Sequence, residues 1–161
     1  MRHELRLSVA PSRTWRNKTE RNFLKSKEWQ NIRKKILEKY DYGCAYCGYK
    51  PQKYQIVHHI DGNPMNNSEN NLEVVCPECN LILHCGFAGL QNKIKIFKSL
   101  KLTQLEIIQE TRKLRKQGLS DKEIIKQLGL IKTNIDPVEL ANQLLKGKKI
   151  SENLVGFIVK K

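Results

Sequence analysis

The feature that most narrows the folds open to this chain is a pair of C-x-x-C motifs, Cys44-Ala-Tyr-Cys47 and Cys76-Pro-Glu-Cys79, with 28 residues between them. Each pair has the spacing with which a chain grips one tetrahedral metal ion, and four thiolates complete the shell of a structural zinc. Such a site leaves no open coordination position, so the zinc is expected to contribute folding free energy rather than chemistry. The separation exceeds that of a simple zinc ribbon, which implies that something is housed between the two knuckles. The fifth cysteine, Cys85, stands outside the pattern. Metal-type pairing of the other four argues for a reducing compartment rather than a disulfide framework.

Around the cysteines the hydrophobic pattern changes period. From Ser26 to Tyr40, Trp29, Ile32, Ile36, Leu37 and Tyr40 recur at helical spacing. Tyr54–Ile60 is rich in β-branched and aromatic residues and reads as a strand, and Asn71–Val75 reads as a second one after a polar Asn, Gly and Pro loop. Pro77 opens a short helix towards His84. Beyond Gly86 the pattern reads as helical and basic: Leu90, Ile94, Phe97 and Leu100 form one stripe, and helices are expected at 104–117, 121–128 and 137–146. Ser120 with Glu123 makes a capping box, Gly118 and Gly129 stand at helix ends, and Asp136-Pro137 is a cap followed by a first-turn proline. Leu154–Val159 looks like a strand with no evident partner. The expected class is α+β: a small ββα-metal core stapled by zinc and flanked by basic N-terminal and C-terminal helices. Its parts are a basic arm at 1–25, the core at 26–90 and a basic helical region at 91–161.

The chain has 161 residues and a net charge of +14. Residues 1–40 carry +8, residues 41–85 carry −3 and residues 86–161 carry +9. A slightly acidic centre between basic flanks fits a cation-binding core whose surroundings grip a polyanion, with nucleic acid foremost. There is no apolar run of membrane-spanning length and no signal-peptide core at the N-terminus, so the reading is a soluble, cytoplasmic protein.

Between and after the knuckles lie His58-His59 and Asn80-Leu-Ile-Leu-His84. Phosphodiester hydrolysis needs a base to deprotonate water and a cation to stabilise charge on phosphate, and these side chains can furnish both. The stretch resembles the HNH (His-Me finger, ββα-metal) endonuclease family, in which a strand with two adjacent polar residues leads through a loop to an Asn and then a helix. The resemblance covers residues 26–86, including the helix Trp29-x-x-x-Arg33-x-x-x-Leu37. It implies that His59 is the general base, His58 the first metal ligand, Asn71 the residue holding the base-bearing loop, and His84 the distal metal ligand. Asn66, Asn67 and Asn70 compete for the role of Asn71.

Many members carry His directly after the last cysteine, where this chain has Asn80. A neutral amide oxygen suits a hard cation, so Mg2+ or Mn2+ is expected on His58, Asn80 and His84, with water in place of Asn80 as the alternative. The implied protein is a metal-dependent DNA endonuclease of restriction or homing type, with a homodimer for double-strand cleavage. The competing reading is a noncatalytic, zinc-dependent nucleic-acid-binding module in which His58 or His84 buttresses the zinc site.

Thr111–Gly129 also resembles the first two helices of a helix-turn-helix domain, which would place the helix from Pro137 in a major groove. The DNA contacts expected are Arg33, Lys34 and Lys35 in one flank, Arg112, Lys113, Arg115 and Lys116 in the other, and Glu139, Asn142, Gln143 and Lys146 as base readers.

Overall fold

The computed structural model describes residues 4–10 and 16–160. It is α+β, as expected, and divides into two compact units, one from Ala10 to Asn80 and one that joins Glu4–Val9 to the chain from Leu81 onward.

The first unit contains α1 (Lys18–Phe23), α2 (Lys27–Lys39), β1 (Ile56–His59), β2 (Leu72–Val75) and the start of α3 (Pro77–Leu83). α2 begins where the Ser26 hydroxyl accepts from the Trp29 N–H at 3.1 Å. It ends where Asp41 and Tyr42 turn to φ +48° and +58° and the Tyr42 N–H reaches back to the Leu37 carbonyl at 2.8 Å. Its inner face, Trp29 and Ile36 flanked by Ile32, Leu37 and Tyr40, packs with Val57, Leu72 and Val74 of the hairpin. Each such side chain contributes roughly 1.5–3 kcal/mol on full burial. β1 and β2 are antiparallel, in a register that sets His58 opposite Glu73 and His59 opposite Leu72. Both strands are shorter than the sequence suggests. Tyr54 is exposed at φ +69°, outside β1, and Glu69–Asn71 forms a 3-10 turn ahead of β2.

The second unit contains α4 (Cys85–Leu90), β3 (Ile94–Lys98), α5 (Gln104–Lys116), α6 (Asp121–Gln127), β4 (Ile131–Lys132), α7 (Pro137–Leu145) and β5 (Leu154–Ile158). Capping boxes start α5 (Thr103 with Glu106) and α6 (Ser120 with Glu123), and Asp136 caps α7 by accepting from the Val138 N–H at 3.2 Å. Gly118 and Gly129 take the positive φ that follows each helix end. The core gathers Phe97, Ile107, Leu114, Ile124, Leu130, Val155 and Phe157.

One expectation for this region is corrected. The stripe Leu90, Ile94, Phe97 and Leu100 is not a helix face: Ile94–Lys98 is the central strand of an antiparallel sheet ordered β4-β3-β5, with Leu90 and Leu100 outside it and exposed. Within it Ile94 and Ile96 are buried on one face, while on the other Lys95 is exposed and Phe97 enters the core. The unassigned C-terminal strand is its partner, paired from Ile94 opposite Ile158 to Lys98 opposite Leu154. The stretch read as the first two helices of a helix-turn-helix forms α5 and α6. β4 intervenes between α6 and α7, and α7 packs closely on α4, where a Cβ at Gly86 would lie 2.7 Å from that of Ala141.

Within the stretch read as a basic N-terminal arm, Glu4–Val9 belong to the second unit. Leu5 and Leu7 are buried, the Ser8 N–H donates to the Ile82 carbonyl, and the Ser8 carbonyl accepts from the Cys85 N–H. Positions 1–3 and 11–15 of the expected arm lie outside the described residues. No described helix is long and apolar enough to cross a membrane.

Candidate metal centre

Cys44, Cys47, Cys76 and Cys79 converge from the two knuckles, and their sulfurs all lie within 4.8 Å of one another. Cys47 and Cys76 approach to 3.7 Å between sulfurs. A tetrahedral ion with bonds of about 2.3 Å needs sulfur–sulfur edges of about 3.8 Å, so the cluster could hold a zinc ion. Local structure makes the cluster. The Gly48 N–H closes the first knuckle on the Cys44 carbonyl at 2.9 Å, and the Ala45 N–H anchors it to Val74 of β2 at 2.7 Å. Pro77 starts α3 directly after Cys76, which puts Cys79 in the helix's first turn with its N–H 3.5 Å from the Cys76 sulfur.

Three of these thiols are buried and Cys47 is half-buried. Hydrogen bonding with Cys44, Cys76 and Cys79 pushes Cys47 far below the usual thiol range, while Cys79 is pushed far above it by Cys44, Cys47 and Cys76. Four like groups this close cannot all ionise alone, and a divalent cation is what would reconcile them. Cys85 is a different case: it is fully buried in the second unit, where burial pushes its thiol up to about 11. It is a packing residue.

The adjacent histidines go to different environments, as neighbours on a strand must. His58 Nδ1 lies 3.1 Å from Glu73 Oε1 across the hairpin, and the same carboxylate oxygen accepts from the Tyr46 hydroxyl at 3.0 Å. Glu73 is 1% exposed, so this buried charge is held by His58 on one side and by the cysteine knuckle's tyrosine on the other. Burial, then the nearby Glu73 charge, raises the Tyr46 pKa, keeping its hydroxyl a donor.

His59 is 6% exposed and stacks on Trp29, with ring centroids 5.9 Å apart and planes 11° from parallel. Its Nε2 lies 3.0 Å from Asn67 Oδ1 and its Nδ1 lies 3.4 Å from the Arg16 guanidinium. A guanidinium only donates, so Nδ1 accepts and Nε2–H donates to Asn67. Burial lowers the His59 pKa, and the ring is neutral.

Asn71 is buried and fastens the preceding loop at three points. Its Nδ2 donates to Asp61 Oδ1 and to the Asn66 carbonyl, both at 2.9 Å, and its Oδ1 accepts from the Asp61 N–H at 3.0 Å. Hydrogen bonds from Asn66, from the Asn63 backbone and from Asn71 lower the Asp61 pKa. Asn80 lies on α3 in the first unit, with its N–H bonded to the Cys76 carbonyl, whereas His84 precedes α4 in the second.

Sequence reasoning missed Arg16, Tyr46 and Glu73, and named Asn67 only as a competitor for the role of Asn71. Of these only Glu73 carried a signal, as the single charge inside the apolar run Leu72–Val75. Among the basic residues expected to meet DNA, Arg33 donates to the Gln55 carbonyl at 2.8 Å, Lys34 lies 3.8 Å from Glu38, and Lys35 is exposed. Arg115 is turned inward, with bonds to Asp121 Oδ1 at 2.8 Å and to the Ile158 carbonyl at 2.6 Å. Arg112, Lys113 and Lys116 share the outer face of α5, while Glu139, Asn142, Gln143 and Lys146 lie on or just after α7.

No protein-family model matches the chain. It is 28% identical over 109 residues to the type 4 apparatus protein DotN of Legionella pneumophila, a match that covers 66% of this chain. The chain spans about half the length of that relative, 49%. The likeness is to an apparatus protein, which overturns the expected DNA endonuclease and its DNA partner. The imidazole expected to act as general base is buried and has both nitrogens engaged.

Proposed function

We propose that this chain is a noncatalytic component of a type 4 apparatus, whose first unit is stapled by one zinc ion on Cys44, Cys47, Cys76 and Cys79 and whose partners are proteins. The likeness to DotN carries this reading. The HNH resemblance enters it as a scaffold: strand, loop, strand and helix, kept for their shape. In that scaffold His58 lies against the buried Glu73, His59 fills the space beneath Trp29, and Asn71 holds the loop. A general base must reach a water with a free lone pair, and a His59 bonded on both nitrogens is better suited to a fixed structural part.

Size fractionation of detergent-solubilised native cells carrying a tagged full chain tests the proposal. The chain should migrate with a large assembly. Migration at the size of the 18.8 kDa chain alone would sink the reading. In parallel, purified protein should leave supercoiled plasmid intact with Mg2+ or Mn2+. Nicking that disappears in His59→Ala would restore catalysis.

A further inference from the structure

Where β3 ends, Lys98 stands opposite Ile131 of β4 and Leu154 of β5, and the chain then turns through Leu100 and Lys101. The turn is tied from inside. The buried Ser99 hydroxyl donates to the Leu102 carbonyl at 2.8 Å and accepts from the Leu102 N–H at 3.1 Å. The Ser99 N–H is held in turn by the Asn153 carbonyl at 2.8 Å, which fastens the turn to the loop that enters β5. On this fixed support Leu100 is 67% exposed, and Ile131 is 46% exposed. Paired residues such as Lys98 and Ile131 lie about 5.5 Å apart between Cα atoms, which brings Leu100 within about 13 Å of Ile131.

The charges around this aliphatic pair have one sign. Residues 91–105 and 124–135, which supply β3, the turn and β4, carry six lysines and no acid. Lys98, Lys101 and Lys132 are exposed, and none of them forms an ion pair among the described residues. The acids on the adjoining segments are engaged elsewhere: Glu106 closes the capping box of α5 with Thr103, and Glu152 lies within electrostatic reach of Arg6. Lysines on an outer strand deter unwanted strand pairing, which accounts for Lys132. That does not account for Leu100 and Lys101, which lie on a turn beyond the sheet.

The combination selects the partner's chemistry. A phosphate backbone would meet the lysines but offers no apolar phase to Leu100 and Ile131. A bilayer with anionic lipid offers both, because its headgroups attract cations and cover hydrocarbon that a projecting aliphatic side chain can enter. Lysine stems can lie along that apolar layer while the ammonium groups stay among the headgroups.

We propose that this end of the sheet docks on the surface of a bilayer containing anionic lipid, with Leu100 and Ile131 entering the acyl boundary and Lys98, Lys101 and Lys132 lying at the headgroups. The lipid surface is additional to the protein partners proposed above and does not depend on them.

The test measures co-sedimentation of the full chain with phosphatidylcholine vesicles, made with and without phosphatidylserine, at about 0.15 M salt, where exposed charges more than about 8 Å apart are largely screened. The anionic vesicles should bind at least about tenfold more tightly than the neutral ones. Lys98→Glu/Lys101→Glu should weaken binding to the anionic vesicles by about tenfold or more, and Lys98→Gln/Lys101→Gln by less. Leu100→Ser/Ile131→Ser keeps every charge and should also weaken it by about tenfold. The control, Lys116→Glu/Lys122→Glu, makes an equal charge change at exposed positions at the other end of the sheet, where Arg115 bonds the Ile158 carbonyl and Asp121 the Lys160 N–H. It should change binding by less than about twofold. Circular dichroism checks that each variant is folded. No binding to the anionic vesicles would overturn the proposal, as would equal weakening by the two charge reversals, which reduces the effect to bulk charge. Unchanged binding of Leu100→Ser/Ile131→Ser would overturn it too, because nothing would then enter the bilayer. An octaglutamate peptide bound by a chain that ignores the vesicles would assign the lysines to an acidic protein and overturn it as well.

Discussion

The side-chain amide of Gln104 bonds both backbone groups of Gly156: Nε2 donates to the carbonyl at 2.9 Å and Oε1 accepts from the N–H at 2.7 Å. β5 is an outer strand of its sheet, and Gly156 belongs to the row of backbone groups turned away from β3. The next members of that row are met in the same way. Arg115 donates to the Ile158 carbonyl at 2.6 Å, and Asp121 accepts from the Lys160 N–H at 2.8 Å. Side chains of α5 and α6 thus close an edge that would otherwise offer itself to another chain's strand. A side chain at position 156 is excluded on the other side, where a Cβ would come within 2.6 Å of Ile94 and 2.7 Å of Ile82.

Gln104→Ala is expected to destabilise the protein by roughly 2–4 kcal/mol, because it leaves a donor and an acceptor unpaired in a buried position. Urea unfolding measures the loss. A change under about 0.5 kcal/mol would mean that water reaches Gly156 and that the amide is not what closes the edge.

Much of this arrangement was legible in the sequence where local chemistry decides it. Ser120 with Glu123, Asp136 with Pro137, and the two glycines fixed three helices to within a residue of their ends, and the C-x-x-C pairs located the cluster. β3 escaped because its confirmation is nonlocal: Ile94–Lys98 becomes a strand by pairing with Leu154–Ile158, and the spacing of Ile94 and Phe97 mimics a helix face. The histidine strand was found but misjudged. Two adjacent histidines announce chemistry, yet whether a ring nitrogen is free depends on Arg16 and Asn67, and whether a carboxylate faces His58 depends on hairpin register. Basic residues gave no hint of direction either. Arg115 and Lys116 are neighbours, and one anchors a sheet edge while the other faces solvent.

That contrast gives a second prediction. Arg115→Gln removes a charged bond to Asp121, the bond to Ile158 and the guanidinium 5.6 Å over the Phe157 ring, and should cost about 1–3 kcal/mol. Lys116→Gln, exposed on the same helix, should stay within about 0.5 kcal/mol of wild type. Thermal unfolding of the two side by side decides. Equal stabilities would place the Arg115 guanidinium in solvent.

For the cysteine cluster, elemental analysis of protein purified without added metal should find one zinc per chain, and Cys79→Ser should carry markedly less. Removing the ion with a chelator should unfold the first unit, since four crowded thiols lose the cation that reconciles them and apparent zinc binding in such sites is worth about 10–16 kcal/mol. Acid should have the same effect, because protons compete for the thiolates. Zinc-free protein that keeps an unchanged circular dichroism spectrum and melting temperature would show that the hairpin and α2 hold the unit without a staple.

The pH dependence of stability separates a packed His59 from a catalytic one. Burial depresses its pKa in the fold, the bond to Asn67 opposes that, and the charge of Arg16 adds to it. Unfolded, the ring titrates near 6.5, so below about that pH the unfolded chain binds a proton that the fold refuses. The stability tied to His59 is therefore complete above about pH 6.5 and is lost as pH falls towards the depressed folded value. His59→Gln keeps an amide donor for Asn67 and an acceptor for Arg16 but cannot titrate. It should lose roughly 0.5–1.5 kcal/mol of stacking on Trp29 at neutral pH and show a flatter decline in acid than wild type. Urea midpoints taken from pH 7.5 down to pH 5 in both proteins isolate the term, because every other titrating group is common to the pair. If the wild type instead gained stability on acidification relative to His59→Gln, the folded ring would hold its proton more tightly than the unfolded one. The neutral, doubly bonded imidazole would then be the wrong description of this residue.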